Sequence, residues 1–343
     1  MPDYYRYMPG YAANPEVAAA VREAWESRDP DVTQVNWDEL YYVNRHGTAT
    51  PASYAVGGAV TANRCFQFVS SFEYRMSGLN RLRGGVQIRN DRTSRYQRLE
   101  DLLGGDYLLN VDSYLIDDEY YGDKIQNDLQ HPNRRVGVGE RYGYDYDLDY
   151  SSYGAWVLAD LHSTREAGLY GYVGGRAAQV SFYRDGRYEK ELFPGGRSLG
   201  RSDRLSFTEY LLKGGIGYMF TPSHSIEVRV AYGDVAPVAD AVFLAPEYQN
   251  RTIADPRPVN LLSGEVCYRL SLRSVEIGLS GYVTTTRGES DVRHYYDDLA
   301  GEFSNMELSA IDKLYVGAEL GVTVRLTDRW SLRGAAAFSD NTY

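Results

Sequence analysis

Three carboxylates alternate in the stretch GYDYDLDY, at Asp145, Asp147 and Asp149. On an extended strand they share one face, and three carboxylates on one face can hold Ca²⁺. The continuation of a helix–loop–helix calcium loop is missing, because its sixth position is Tyr150 and its twelfth is Trp156. A solvated strand rim accounts for the three acids equally well. The five histidines, His46, His131, His162, His224 and His294, are scattered, and none pairs at i, i+4. Cys65 and Cys267 lie far apart without metal-ligand spacing. They read as two unrelated thiols, buried or facing a lumen, so zinc is not expected. Gly214-Gly215-Ile216-Gly217 lacks the strand–turn–helix setting of a nucleotide fingerprint. No G-x-S-x-G elbow and no paired acid and base appear. The expectation is a protein that is not an enzyme, with no catalytic residues, no metal and no cofactor.

The element that organises the chain is Leu314 to Leu326, LYVGAELGVTVRL. Leu314, Val316, Ala318, Leu320, Val322, Val324 and Leu326 fall on one face; Tyr315, Gly317, Glu319, Gly321, Thr323 and Arg325 fall on the other. Strict period two over such a length marks a strand about twice as long as those of soluble proteins, and long enough to cross lipid at a tilt. Other segments repeat the pattern. Phe66, Phe68, Phe72 and Tyr74 oppose Gln67, Ser71, Glu73 and Arg75, and Ile226, Val228, Val230 and Tyr232 oppose Glu227 and Arg229.

Loop lengths alternate too. TPSH, LRS and TDR are tight, whereas 184–204, 236–258 and 288–307 are long. Long loops at every second strand end fall on one rim, as in outer-membrane barrels. Tyr218, Phe220 and Trp330 sit beside the tight turns, where an aromatic membrane girdle belongs. A soluble antiparallel sheet, with strands of about five to six residues, is the plainer alternative and fits these lengths poorly.

Composition agrees. The 343 residues carry net charge −11, which argues against a nucleic-acid partner. There are 32 tyrosines against 10 phenylalanines and 4 tryptophans, and tyrosine suits half-wet interfaces and binding loops. Mean hydropathy is −0.46, compatible with a barrel whose strands give every second residue to lipid. No run approaches the 18 apolar residues of a membrane helix. MPDYYRYMPGY lacks the basic and apolar regions of a signal peptide, so an outer-membrane role implies a chain that has lost its start.

The sequence therefore divides into residues 1–52, a long extracellular loop with a short helix from Pro15 to about Arg28, and residues 53–343, a partial barrel. Asn14 caps the helix and Pro15 opens it. The pieces YYRYMPGY and VNWDELYYVN read as irregular. The first strand begins near Tyr54 and reaches a TANR turn after Val60. Long extracellular loops are placed at 91–150, 184–204, 236–258 and 288–307. The end, Ser339-Asp340-Asn341-Thr342, does not alternate and reads as a loop.

Four strings together carry a family resemblance: LEDLLGGDYLLNVDSYL, QNDLQHPNRRVGVGERYGYDYD, YYRYMPGY and QVNWDELYYVNR. They are similar to the barrel of Bacteroidetes TonB-dependent outer-membrane receptors, whose full chains carry a carboxypeptidase-regulatory-like domain, a plug and a 22-stranded barrel. The resemblance implies an all-β fold, an antiparallel transmembrane β-barrel of which this chain is an incomplete, open fragment of about ten strands. It implies the cell outer membrane and uptake of a scarce solute, driven by the TonB system through a plug domain absent from this chain. A passive porin-like or surface-adhesion barrel is the alternative. The expected partners are outer-membrane lipid and that TonB system. Ligand-binding residues are unknown, and Val316, Leu320 and Val324 are expected to face lipid.

Overall fold

A computed structural model describes residues 8–12, 14–45, 51–112, 125–163, 168–297 and 302–343. His46, most of the STREAG turn, and parts of the 1–52 segment and of the 91–150 and 288–307 stretches lie outside the described residues. The chain forms two compact units, Met1–Val60 with Tyr96–Gly143, and Thr61–Arg95 with Tyr144–Tyr343.

In the first unit, helix α1 spans Pro15–Glu26, and the Asn14 carboxamide accepts the Val17 N–H at 2.9 Å. The chain leaves α1 through Arg28, at φ 57°. A single-turn helix, α2, follows at Pro30–Thr33. Helix α3, Trp37–Arg45, occupies the VNWDELYYVN piece that the sequence reading left irregular. Its signal was a reciprocal cap: Asn36 Oδ1 accepts the Glu39 N–H at 3.2 Å, and Asn36 Nδ2 donates to the Glu39 carboxylate at 3.3 Å. Near its end Asn44 is buried. Its amide donates to the Tyr54 and Leu102 carbonyls, both at 2.8 Å, and accepts from the Ser53 and Tyr54 amides. One side chain thus ties the helix to two separate stretches, satisfying backbone groups that no ladder pairs.

Ten long strands follow: β1 Val56–Arg75, β2 Arg81–Asp101, β3 Arg141–His162, β4 Leu169–Gly186, β5 Leu205–Thr221, β6 His224–Val235, β7 Val259–Ser271, β8 Val275–Asp297, β9 Glu302–Arg325 and β10 Ser331–Thr342. They lie side by side in chain order. From β3 to β10 every registered neighbour is antiparallel. β1 and β10 stand at the two ends of this order, and among the described residues they do not pair with each other. The sheet is therefore open. No helix among the described residues is long and apolar enough to cross a membrane.

The structure moves several boundaries. β1 is one strand of 20 residues rather than two split by a turn at TANR. β2 runs on to Asp101 and β3 starts at Arg141, so both ends of the 91–150 stretch are strand. β8 and β9 keep pairing through Asp297↔Glu302, so most of 288–307 is a hairpin extension and not a loop. β10 continues through Ser339-Asp340-Asn341 to Thr342, with Asn341 opposite Tyr315. The last three misreadings share a cause. Beyond the apolar band polar and apolar residues mix on the strand faces, so the residues carry no clean period-two signature although the backbone continues as strand.

Candidate membrane face and polar-face site

The ladders bring side chains of one face into continuous rows. One row reads Gly171, Ile216, Val228, Val266, Gly281, Ala318 and Phe338 from β4 to β10; another reads Val173, Gly214, Val230, Gly264, Val283 and Val316. On β9, Leu314, Val316 and Leu320 are each 40% exposed, and Val324 on the same face is half-buried. On β5 aromatic residues bracket the apolar positions, Tyr210 at one end and Tyr218 and Phe220 at the other, with Phe220 60% exposed. Tyr210 to Phe220 is ten residue steps, or ~33 Å of strand, and projects to ~25 Å at the tilt of outer-membrane strands. That matches the height of a barrel's apolar band. Trp330, just before β10, is exposed next to its tight turn, and Phe338 is exposed on the same strand. Water would not stabilise so large a contiguous apolar face.

The other face is polar. Glu227 and Arg229 on β6 and Glu265 on β7 form a chain, with Arg229 Nε 2.7 Å from Glu227 and Arg229 Nη1 3.3 Å from Glu265. Tyr170 on β4 donates its hydroxyl to the second Glu227 oxygen at 3.3 Å. These side chains, with Cys267 and Glu319, line a cavity of about 620 Å³. Cys267 is thus a polar-face thiol; Cys65 on β1 is exposed.

Tyrosines of this face lie across glycines of neighbouring strands: Tyr170 over Gly217, Tyr172 over Gly215 and Tyr282 over Gly317. A side chain on Gly217 would enter the Tyr170 ring, whereas one on Gly264, on the apolar face, would meet nothing within 4 Å. Gly217→Val is expected to destabilise the sheet by about 1–3 kcal/mol through overpacking. Gly264→Val should be close to neutral. Urea unfolding of the two variants in lipid vesicles, compared side by side, makes the check; equal midpoints would contradict the packing.

The alternating acids lie on the strand face opposite Tyr146, and two of them, Asp147 and Asp149, are held by cations of the protein itself. Asp147 accepts from Ser94 at 2.6 Å and from Arg187 at 2.5 Å, and Asp149 accepts from Arg92 at 2.8 Å. The hydrogen bond to Asp147 raises the Arg187 pKa further above its usual value. No group of three or more potential metal ligands occurs among the described residues.

A third cluster had no counterpart in the sequence reading. The 236–258 connection folds back on the polar face of the strands beyond the apolar band. Val242, Phe243, Leu244 and Ile253 are buried against Tyr146 and Leu148 of β3, Val180 and Phe182 of β4, Phe207 of β5 and Val292 of β8. Phe182 stacks on Phe207 at 5.6 Å and meets Phe243 edge-on at 6.4 Å.

No protein-family model matches the sequence, and no curated protein matches it. Solved structures do resemble the fold. The copper transporter OprC is 13% identical, with a TM-score of 0.57 over 83% of this chain and 38% of that one. The ferric-catecholate import receptor Fiu from K12 E. coli is 14% identical, with a TM-score of 0.52 over the same shares. The pyoverdine outer membrane receptor FpvA from Pseudomonas aeruginosa PAO1 is 12% identical, at 0.50 over 83% of this chain and 36% of that one. This chain thus spans less than two fifths of each neighbour's length. Its fold is that of an antiparallel barrel wall of the kind seen in these transport receptors.

Proposed function

We propose that this chain is part of the barrel wall of an outer-membrane receptor of the TonB-dependent type, taking part in uptake of a scarce solute. The observation that carries the reading is the continuous apolar face bracketed by aromatic residues, on strands long enough to cross lipid. The likeness to OprC, Fiu and FpvA supports it. In this reading Val316, Leu320 and Val324 face lipid, Tyr218, Phe220 and Trp330 form the girdle at the short-turn side, and the polar face lines the lumen. The segments 184–204 and 236–258 belong to the extracellular rim, together with the hairpin extension around 288–307. Energy reaches the solute through a TonB system acting on a plug domain. The Bacteroidetes subtype, with its carboxypeptidase-regulatory-like domain, follows from the sequence strings alone.

Two measurements test the proposal. A fluorescent label on a cysteine placed at Val316 is expected to be quenched by brominated lipid, and one at Thr323 to be spared. The reverse pattern removes the membrane reading. Uptake of copper or a ferric catecholate by cells expressing the gene should stop when the proton-motive force is collapsed. Uptake that persists would favour the passive porin-like alternative.

A further inference from the structure

The 236–258 connection has four prolines and looks like an ordinary exposed loop, yet it is anchored at several points between Ala236 and Ile253. Its first residue donates from the Ala236 amide to Glu209 on β5 at 3.1 Å, and Glu209 also binds Arg176 of β4 at 3.1 Å. Further along, Asp240 takes a two-pronged hydrogen bond from Arg95 of β2, at 2.6 and 2.8 Å. A short internal ladder follows: Ile253 donates to the Val242 carbonyl at 2.8 Å and Leu244 to the Arg251 carbonyl at 3.1 Å. Arg184 of β4, 2% exposed, donates to the Pro246 carbonyl at 2.6 Å, to Asn250 Oδ1 at 2.6 Å and to the Ser198 carbonyl at 2.8 Å. Asn250 in turn bonds the Arg197 and Gly196 backbone, so the 187–204 connection is held as well.

The partners of this segment are not neighbours in the sheet. β3, β4 and β5 lie on one side, β8 on the other, and β6 and β7 run between them. A buried cluster that joins both groups crosses the polar face as a chord. We propose that residues 236–258 are a permanent strut across the polar face, holding β3–β5 at a set distance from β8. This part of the rim is therefore preformed and does not open and close as solute arrives. The assignment of the rim to solute recognition rests on the function proposed above; the strut itself does not.

Hydrogen exchange of the full chain in lipid nanodiscs tests it. The amides of Phe243, Leu244, Asn250 and Ile253 are expected to exchange as slowly as those of β4 and β5. Arg184→Met should speed the strut amides at least about tenfold, through loss of two charge-assisted bonds to the strut and a third to Ser198, and leave β4 and β5 unchanged. Asp240→Asn, at an exposed pair, should give a smaller loosening confined to the strut, should Arg184→Met prevent folding. A wild-type strut exchanging ~100-fold faster than β4 and β5 would show a gate and overturn the proposal. Fast exchange in β4 and β5 as well would instead overturn the wall on which both readings depend.

Discussion

Leu320→Arg is expected to destabilise the membrane-inserted sheet by about 2–4 kcal/mol, the cost of a cation on the lipid side of a barrel strand near the bilayer midplane. Leu320 is the central one of the seven apolar positions from Leu314 to Leu326. It lies between Leu279 and Ala336 on the neighbouring strands and presents to its surroundings a side chain 40% exposed. In the membrane reading proposed above, an arginine there has too far to reach to place its guanidinium in either headgroup layer. Thr323→Arg is the control. Its side chain points to the polar face, directly opposite Glu276 and Arg333. A new cation there finds one carboxylate and one like charge in a hydrated setting, so the net effect should stay within about 1 kcal/mol. The urea midpoints of both variants in lipid vesicles give the comparison. Equal losses, or a larger loss for Thr323→Arg, would mean that the face is assigned the wrong way round.

The division of this strand into an apolar and a polar face was legible before any coordinates, and the reason is physical. A strand with one apolar and one polar side must alternate, so LYVGAELGVTVRL declares both its state and its two faces. The tight turns TPSH, LRS and TDR were legible for the same reason, because each interrupts the alternation sharply. Outside the band the rule lapses. Asn90 to Asp101 and Glu289 to Asp297 belong to β2 and β8, the latter paired with β9 through register shifts around Glu289, yet both their faces are polar or mixed, and they read as loops. Helix α3 was hidden for a different reason. Its aromatic residues resembled the irregular tyrosine-rich pieces around it, and its one clear signal, the Asn36–Glu39 cap, went unread.

The polar face was partly legible. Glu227, Arg229 and Glu265 could be assigned to it by parity, but the pairing among them depends on which strand neighbours which and at what register. Register is a long-range property that alternation on a single strand does not contain. The strut was not legible at all. Val242, Phe243 and Leu244 form an apolar triplet in a proline-rich stretch, too short for either period to show. Only the fold reveals that the triplet has polar-face side chains of β3, β4 and β5 to pack against.

That packing makes Phe243→Ala the most damaging core truncation to expect. The side chain is 1% exposed and sits edge-on to Phe182 in the middle of the cluster. Removing it forfeits the transfer free energy of the ring and leaves a cavity, together ~3–5 kcal/mol for a buried phenylalanine. The upper part of that range applies if the site cannot collapse. Here collapse is opposed from both ends, by the Arg95–Asp240 pair on one side and the Arg184 bonds to Pro246 and Asn250 on the other. Phe182→Ala should cost a similar amount, and the two losses should not add. Ring–ring contact contributes about 0.5–1.5 kcal/mol beyond burial, and both truncations open the same cavity. A double-mutant cycle by urea unfolding, with Gly264→Val as a distant reference, measures that coupling. Additive losses would place Phe182 and Phe243 in separate environments, and a Phe243→Ala loss below about 1 kcal/mol would mean that the strut does not pack on the strands at all.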